Sequence, residues 1–196
     1  MSFRLNPSQR RLGESPVIMA PNVLSPEQCL KVIELGSTLP AVDGGIGEAE
    51  IDHSLRSSTI RWIPQESVFV SLYEAIAGAI FALNQTFFDF ELTTIEDMQF
   101  TTYVDTAKGF YDWHPDSRIN PPSDMARKLS LTVQLSDPAD YDGGDLELWC
   151  DRDPVLARRE RGLGAMFPAP TLHRVRPVTR GRRHSLVAWA SGPRFR

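Results

Sequence analysis

Cysteine is scarce: Cys29 and Cys150 are the only two in 196 residues. A disulfide framework is therefore excluded as the scaffold, and a reducing, cytoplasmic setting is the default expectation. Basic charge is not in excess either. Lysine and arginine number 21 against 25 acidic residues, a formal net charge of −4, which speaks against a nucleic-acid binder with its basic face. The first residues, Met1 to Arg11, carry arginines but no apolar run behind them, so no secretory signal is expected. The longest apolar stretch, Val68 to Leu83, is interrupted by Ser71 and Glu74 and reads as too short and too polar for a bilayer span. No internal repeat or low-complexity segment stands out. The expectation is a soluble cytoplasmic protein with neither a membrane nor a nucleic acid as partner.

What is present is an ordinary globular balance, 41% hydrophobic and 23% charged, in a length that suits one domain with a full core. One domain over 1–196 is expected, with 1–96 as helical and strand support and 97–191 as a β-rich core. Ser25-Pro26-Glu27-Gln28 is a helix start, with Ser25 as cap, Pro26 at the first helical position and Gln28 completing a capping box. That helix is expected to stop near Gly36. The loop 41–58, with three glycines and four acidic residues, reads as mobile surface, and His53 within it as a solvated residue. Val68, Leu72, Ile76 and Ile80 recur every four residues, so a second helix is predicted over Glu66 to Asn84 with an ordinary packing stripe. From Asp97 onward, about seven short β-rich runs alternate with turn signals, and Asp142-Gly143-Gly144-Asp145 reads as a hairpin. The fold class expected is mostly β with bracing α-helices, an antiparallel sandwich or jelly roll.

Only four histidines occur, and two of them stand in telling places. His114-Pro115-Asp116 closes the run Gly109-Phe110-Tyr111-Asp112-Trp113. Side chains of a strand alternate, so positions 114 and 116 share a face, and the proline puts them at a strand end or edge. His173, in Thr171-Leu172-His173-Arg174-Val175, supplies the third member of a two-histidine, one-carboxylate set. That set leaves coordination positions open and suits Fe(II) oxygen chemistry, although zinc accepts the same ligands. Arg183 favours iron. A rigid guanidinium on a neighbouring strand would hold the far carboxylate of a dicarboxylic acid chelated to the metal. Arg183, Ser185, Val187 and Trp189 fall on one strand face, while His184 falls on the other and reads as structural.

Three blocks carry a family resemblance. They are Tyr103-x5-Gly109-Phe110-Tyr111-x2-His114-x-Asp116, then Leu135-Ser136-Asp137-Pro138 with Tyr141-Asp142-Gly143-Gly144-Asp145-Leu146, then His173-x-Val175-x-Pro177-Val178-Thr179-x-Gly181-x-Arg183-x5-Trp189. Over Asp97 to Ser191 the chain resembles the Fe(II)/2-oxoglutarate dioxygenases, in the prolyl 4-hydroxylase-like branch with the PKHD-type hydroxylases. The resemblance implies a double-stranded β-helix core, with His114, Asp116 and His173 as iron ligands and Arg183 on the C5 carboxylate of 2-oxoglutarate. It also implies Tyr103 and Gln134 beside the cosubstrate; Gln134 stands where prolyl hydroxylases often have a tyrosine assisting the arginine. Arg127 matches a basic position near bound peptide in some relatives, and Trp189 reads as a pocket wall. The cofactors implied are Fe(II), 2-oxoglutarate and O2, with room for ascorbate as an accessory reductant. Related halogenases lack a carboxylate where Asp116 stands, so hydroxylation of an unactivated C–H is the expected outcome. A prolyl or other aminoacyl residue in a peptide or protein is the leading substrate. The alternatives are a free amino acid or small metabolite, a non-oxidative metal-binding sensor or isomerase, and a nonenzymatic binding module. The segments 41–58 and 117–126 are the expected lids, the acidic one favouring a basic or neutral substrate.

Overall fold

A computed structural model describes residues 16–43, 54–117 and 124–194. The chain opens with β1 (Ile18–Ala20), α1 (Pro26–Thr38), β2 (Val42–Asp43), β3 (Arg56–Ser57) and β4 (Thr59–Ile63). A 3-10 turn, Ser67–Phe69, leads into α2 (Val70–Leu83) and a π turn, Asn84–Phe88. Then come β5 (Thr94–Ile95), β6 (Met98–Val104), β7 (Phe110–His114), β8 (Met125–Gln134), β9 (Tyr141–Gly143) and β10 (Leu146–Trp149). The last strands are β11 (Pro154–Leu156), β12 (Gly164–Pro168), β13 (His173–Val175) and β14 (Val178–Pro193). Two antiparallel sheets result. The larger runs β1-β12-β8-β14-β6-β4-β2, with β5 and β9 also pairing β14; the smaller runs β11-β10-β13-β7-β3. This mostly β architecture with helical support is the fold class expected above.

The larger sheet is buried on both faces, and the two faces differ in chemistry. On β6, β8 and β14 one alternating set is apolar: Met98 and Phe100, Leu129, Leu131 and Val133, Leu186, Ala188 and Ala190. These pack with Cys29 and Val32 of α1 and with Leu72, Ile76 and Ile80 of α2. The opposite set is Gln99, Thr101 and Tyr103, then Ser130, Thr132 and Gln134, then Arg183, Ser185 and Trp189, nearly all buried as well. The register aligns them, Gln99 against Val187, Thr101 against Ser185 and Tyr103 against Arg183, with Ser130 against Trp189 and Gln134 against Ser185. Burying polar side chains without partners is costly. A polar row turned inward between two sheets is therefore the mark of a ligand cavity rather than a packing core.

α1 starts as predicted, with both halves of the Ser25–Gln28 capping box present at 3.2 and 2.8 Å. It does not stop at Gly36 but runs on to Thr38. Gly36 instead admits the Phe100 ring, whose Cγ would lie 2.9 Å from a β-carbon there. The stripe on the second helix is Leu72, Ile76 and Ile80; Val68 lies outside it and is 56% exposed. By length and composition alone the helical stretch Ser67–Phe88 would suffice to cross a membrane, yet its stripe lies in the core. β4, in Thr59-Ile60-Arg61-Trp62-Ile63, falls just past the end of the expected loop and joins the larger sheet through β6. Asp142 to Asp145 is not a hairpin. β9 pairs β14, whereas β10 pairs β11 and β13, so this segment crosses between sheets, with Gly143 and Gly144 both at positive φ. His53 and most of the 41–58 loop, and residues 118–123 of the second expected lid, lie outside the described residues.

Candidate active site

His114 ends β7 and His173 begins β13, and the two are direct Cα partners across these antiparallel strands. Their rings lie 4.2 Å apart, centroid to centroid. Just beyond β7, the Asp116 and Ser117 N–H groups both donate to the Ala169 carbonyl, at 2.9 and 3.2 Å. That turn brings the Asp116 carboxylate back over the histidines, with Oδ2 3.6 Å from His173 Nε2. One ligand atom from each of His114, Asp116 and His173 falls within 4.8 Å of the other two.

The hydrogen bonds around this cluster set its protonation. His114 Nδ1 lies 2.7 Å from the Asp112 carbonyl, and His173 Nδ1 lies 2.9 Å from the Thr171 carbonyl. A carbonyl only accepts, so each Nδ1 carries the proton and donates it. That leaves Nε2 of each ring as the nitrogen a metal would take. Burial, then the neighbouring His173, pushes His114 down to about 3, so it is a neutral ligand at physiological pH. Burial alone would raise Asp116, but His173 and the Ser130 hydroxyl, which donates to Oδ2 at 2.7 Å, outweigh it and hold the carboxyl below its ordinary value. Two imidazoles and one carboxylate are a donor set that fits a divalent iron.

Around the cluster, Tyr111 stacks on His114 at 3.4 Å, and Phe167 lies 4.8 Å from His173. Arg127 is gripped by Glu96 through Nε and NH2, at 3.0 and 2.6 Å. Its guanidinium sits 4.0 Å over the Trp189 ring and donates to the Asp116 carbonyl at 3.4 Å. Arg127 thus braces the turn that presents the carboxylate. Trp189 is buried and acts on the Asp116 carboxylate, and Arg56 acts on the Tyr111 hydroxyl, both as side-chain donors. Arg56 lies 4.4 Å from the Tyr111 ring, on the β3 edge that pairs β7.

Deeper in, Arg183 is 2% exposed. Its guanidinium touches Ser185 Oγ at 3.4 Å and lies 5.5 Å from the Tyr103 ring, with no carboxylate partner among the described residues. A buried cation without a counter-charge is costly, so this position suits an anion from outside the chain. It lines a small cavity with Thr132, Gln134, Tyr141, Gly144 and Arg159, among others. His184 points to the opposite face, stacked on Phe100 at 5.3 Å and bonded to Thr102 at 3.0 Å. Ser130 and Glu96 were not singled out in the sequence. Ser130 was reachable by counting back in twos from Gln134 along β8, but nothing near Glu96 announces a partner 31 positions away.

Comparison with known proteins agrees with this geometry. Residues 98–191 match the 2OG-Fe(II) oxygenase superfamily. A PKHD-type hydroxylase of Sphingopyxis alaskensis is 41% identical over 75 residues, which are 37% of this chain and 34% of that one. Another, from Xanthomonas axonopodis pv. citri, is 29% identical over 180 residues, 87% of this chain and 76% of that protein. Among the relatives of higher identity, the aligned stretch spans only about a third of their length. The fold is that of a Pseudomonas putida prolyl-4-hydroxylase, with a TM-score of 0.69 at 21% identity over 93% of this chain and 95% of that one. It is also that of a Trichoplax adhaerens prolyl hydroxylase in complex with a hypoxia inducible factor peptide fragment, at 0.74 and 18% over 91% and 84%. Residues 98–191 are thus similar to the 2OG-Fe(II) oxygenase superfamily, and the chain resembles the PKHD-type hydroxylases.

Proposed function

We propose that this protein is an Fe(II)- and 2-oxoglutarate-dependent dioxygenase that hydroxylates an unactivated C–H of a prolyl or other aminoacyl residue in a peptide or protein. The observation that carries the reading is one arrangement. Two imidazoles and a carboxylate converge beside Ser130, on the polar sheet face that also carries Arg183, a buried arginine with no carboxylate partner among the described residues.

In this reading His114, Asp116 and His173 hold the iron. Together with 2-oxoglutarate and O2 it supplies the oxidation, one oxygen atom going to succinate as CO2 leaves and the other to the substrate carbon. The chain's own residues do the rest. Arg183 neutralises and orients the far carboxylate of the cosubstrate, with Tyr103 beside it. The Ser130 hydroxyl fixes the Asp116 carboxylate, and Arg127, held by Glu96, keeps that turn in place. Phe167 and Trp189 exclude water from the reacting end. The peptide preference draws support from one surface feature and one likeness. Trp62, 43% exposed, lies 6.1 Å from Trp189 and extends an aromatic wall outward. A prolyl hydroxylase of like fold carries a peptide fragment.

The test is turnover. Purified protein with Fe(II), 2-oxoglutarate and O2 is expected to release succinate, and a proline-containing peptide library is expected to raise that rate and gain 16 mass units on one member. No succinate under any condition would remove the oxygenase reading. Succinate stimulated only by free amino acids would move the substrate from peptides to small molecules.

A further inference from the structure

Tyr141 begins β9 and its side chain is almost wholly buried. Two donors converge on its phenolic oxygen: Gln134 Nε2 at 3.0 Å and Arg159 Nε at 3.2 Å. A guanidinium has only donors. The Gln134 amide is oriented by its second contact, Nε2 to the Ser136 carbonyl at 3.3 Å, where a flipped amide would set oxygen against oxygen. The phenolic oxygen therefore accepts both bonds, and its own hydrogen must point in a third direction. Among the described residues nothing accepts it.

Tyr141 lines a cavity together with Arg183, Thr132 and Gly144, and that cavity is open space its hydrogen can donate into. A β-carbon on Gly144 would lie 3.0 Å from Arg183 Cδ and 3.3 Å from Tyr141 Cε2, so the arginine stem and the tyrosine ring flank this glycine and face one space. Arg159 fixes the ring from outside, 4.1 Å over its face and bonded to the Tyr141 carbonyl at 2.8 Å. Gln134 has both amide hydrogens engaged, on Ser136 and Tyr141. It has none left for an anion.

We infer that the phenol of Tyr141 donates to the far carboxylate of 2-oxoglutarate beside Arg183, and that Gln134 and Arg159 are positioning residues that aim it. The inference rests on the cosubstrate reading above. It gives this chain a second carboxylate donor although position 134 holds glutamine, and it selects a dicarboxylic over a monocarboxylic 2-oxo acid.

The experiment is calorimetric titration of the Mn(II)-loaded protein under argon with 2-oxoglutarate and with 2-oxopentanoate, which lacks only the far carboxylate. Tyr141→Phe is expected to weaken 2-oxoglutarate about tenfold or more and to leave 2-oxopentanoate unchanged. Arg183→Met is the control. If it does not weaken 2-oxoglutarate, the cosubstrate reading itself fails. If it does and Tyr141→Phe has no effect, or weakens both acids equally, the role of Tyr141 is overturned and the cosubstrate reading stands. Should Tyr141→Phe melt early, wild-type protein labelled with 3-fluorotyrosine takes its place. The Tyr141 resonance, assigned by elimination with Phe at Tyr73, Tyr103 and Tyr111, is expected to shift with 2-oxoglutarate and not with 2-oxopentanoate. No such shift would overturn the inference.

Discussion

His114 and His173 are 59 positions apart in sequence and face each other directly across β7 and β13. The pairing is locked from behind, because each Nδ1 donates to a carbonyl two residues earlier in its own segment. The two Nε2 atoms are thereby preset by backbone rather than by flexible side chains, and Asp116 completes the set through the turn tied to Ala169. Preorganisation of this kind lowers the reorganisation needed when a ligand arrives.

Removal of one ligand should be decisive. His173→Ala and Asp116→Ala are each expected to lower Fe(II) affinity by more than about a hundredfold, since loss even of an outer partner typically costs 10–100-fold. Equilibrium dialysis against Fe(II) under argon reads this directly. Near-normal affinity in both variants would mean the cluster is not the metal centre.

Ser130 acts one step out. Its hydroxyl donates to Asp116 Oδ2 at 2.7 Å. Ser130→Ala is expected to weaken Fe(II) by about tenfold while leaving the melting temperature within a few degrees, because the vacated space is one oxygen atom. The same dialysis, paired with a thermal melt, checks both halves.

Gly144 reports on the cosubstrate end. At φ +64, with a β-carbon 2.9 Å from Val178 Cγ2 and 3.0 Å from Arg183 Cδ, Gly144→Ala must displace the arginine stem. The expected result is weaker 2-oxoglutarate binding, by about tenfold or more, with Fe(II) affinity unchanged. Strain at a left-handed position adds a stability loss of about 1–2 kcal/mol, visible in denaturant melts.

His184 sets an acid limit on stability. Burial first, then the charges of Arg182, Arg61 and Arg183, push it from 6.5 down to about 4, against a small opposing effect of Asp140. The unfolded chain therefore binds more protons between those values. The stabilisation is complete above about pH 6.5 and is lost as pH falls toward 4, by about 2–3 kcal/mol. His184→Asn, which keeps an acceptor or donor for Thr102, is expected to flatten that slope. Denaturant melts of both proteins from pH 4.5 to 7.5 give the comparison, and parallel profiles would refute it.

Alternation explains most of what the sequence showed in advance. His114, His173 and Arg183 lie on strands, where spacing in twos assigns faces, and the structure places His184 opposite Arg183 as that spacing requires. The capping box at Ser25 was legible because it is local. What escaped was set by distance or by topology. The helix ends two residues past Gly36, and that glycine's other duty, making room for Phe100 64 positions on, has no local signal. The hairpin at Asp142 to Asp145 failed because β9 joins β14 and not β10, a choice made by the two sheets and not by the turn. Glu96 and Arg127, Tyr141 and Arg159, and the Ser130 bond to Asp116 are contacts through space between strands, and no spacing rule reaches them.

The most direct measurement is the visible spectrum of the Fe(II)-loaded protein under argon as 2-oxoglutarate is added. A metal-to-ligand charge-transfer band is expected in the wild type, absent in His173→Ala and requiring far more 2-oxoglutarate in Arg183→Met. Tight Fe(II) binding with no band at any 2-oxoglutarate concentration would contradict the account.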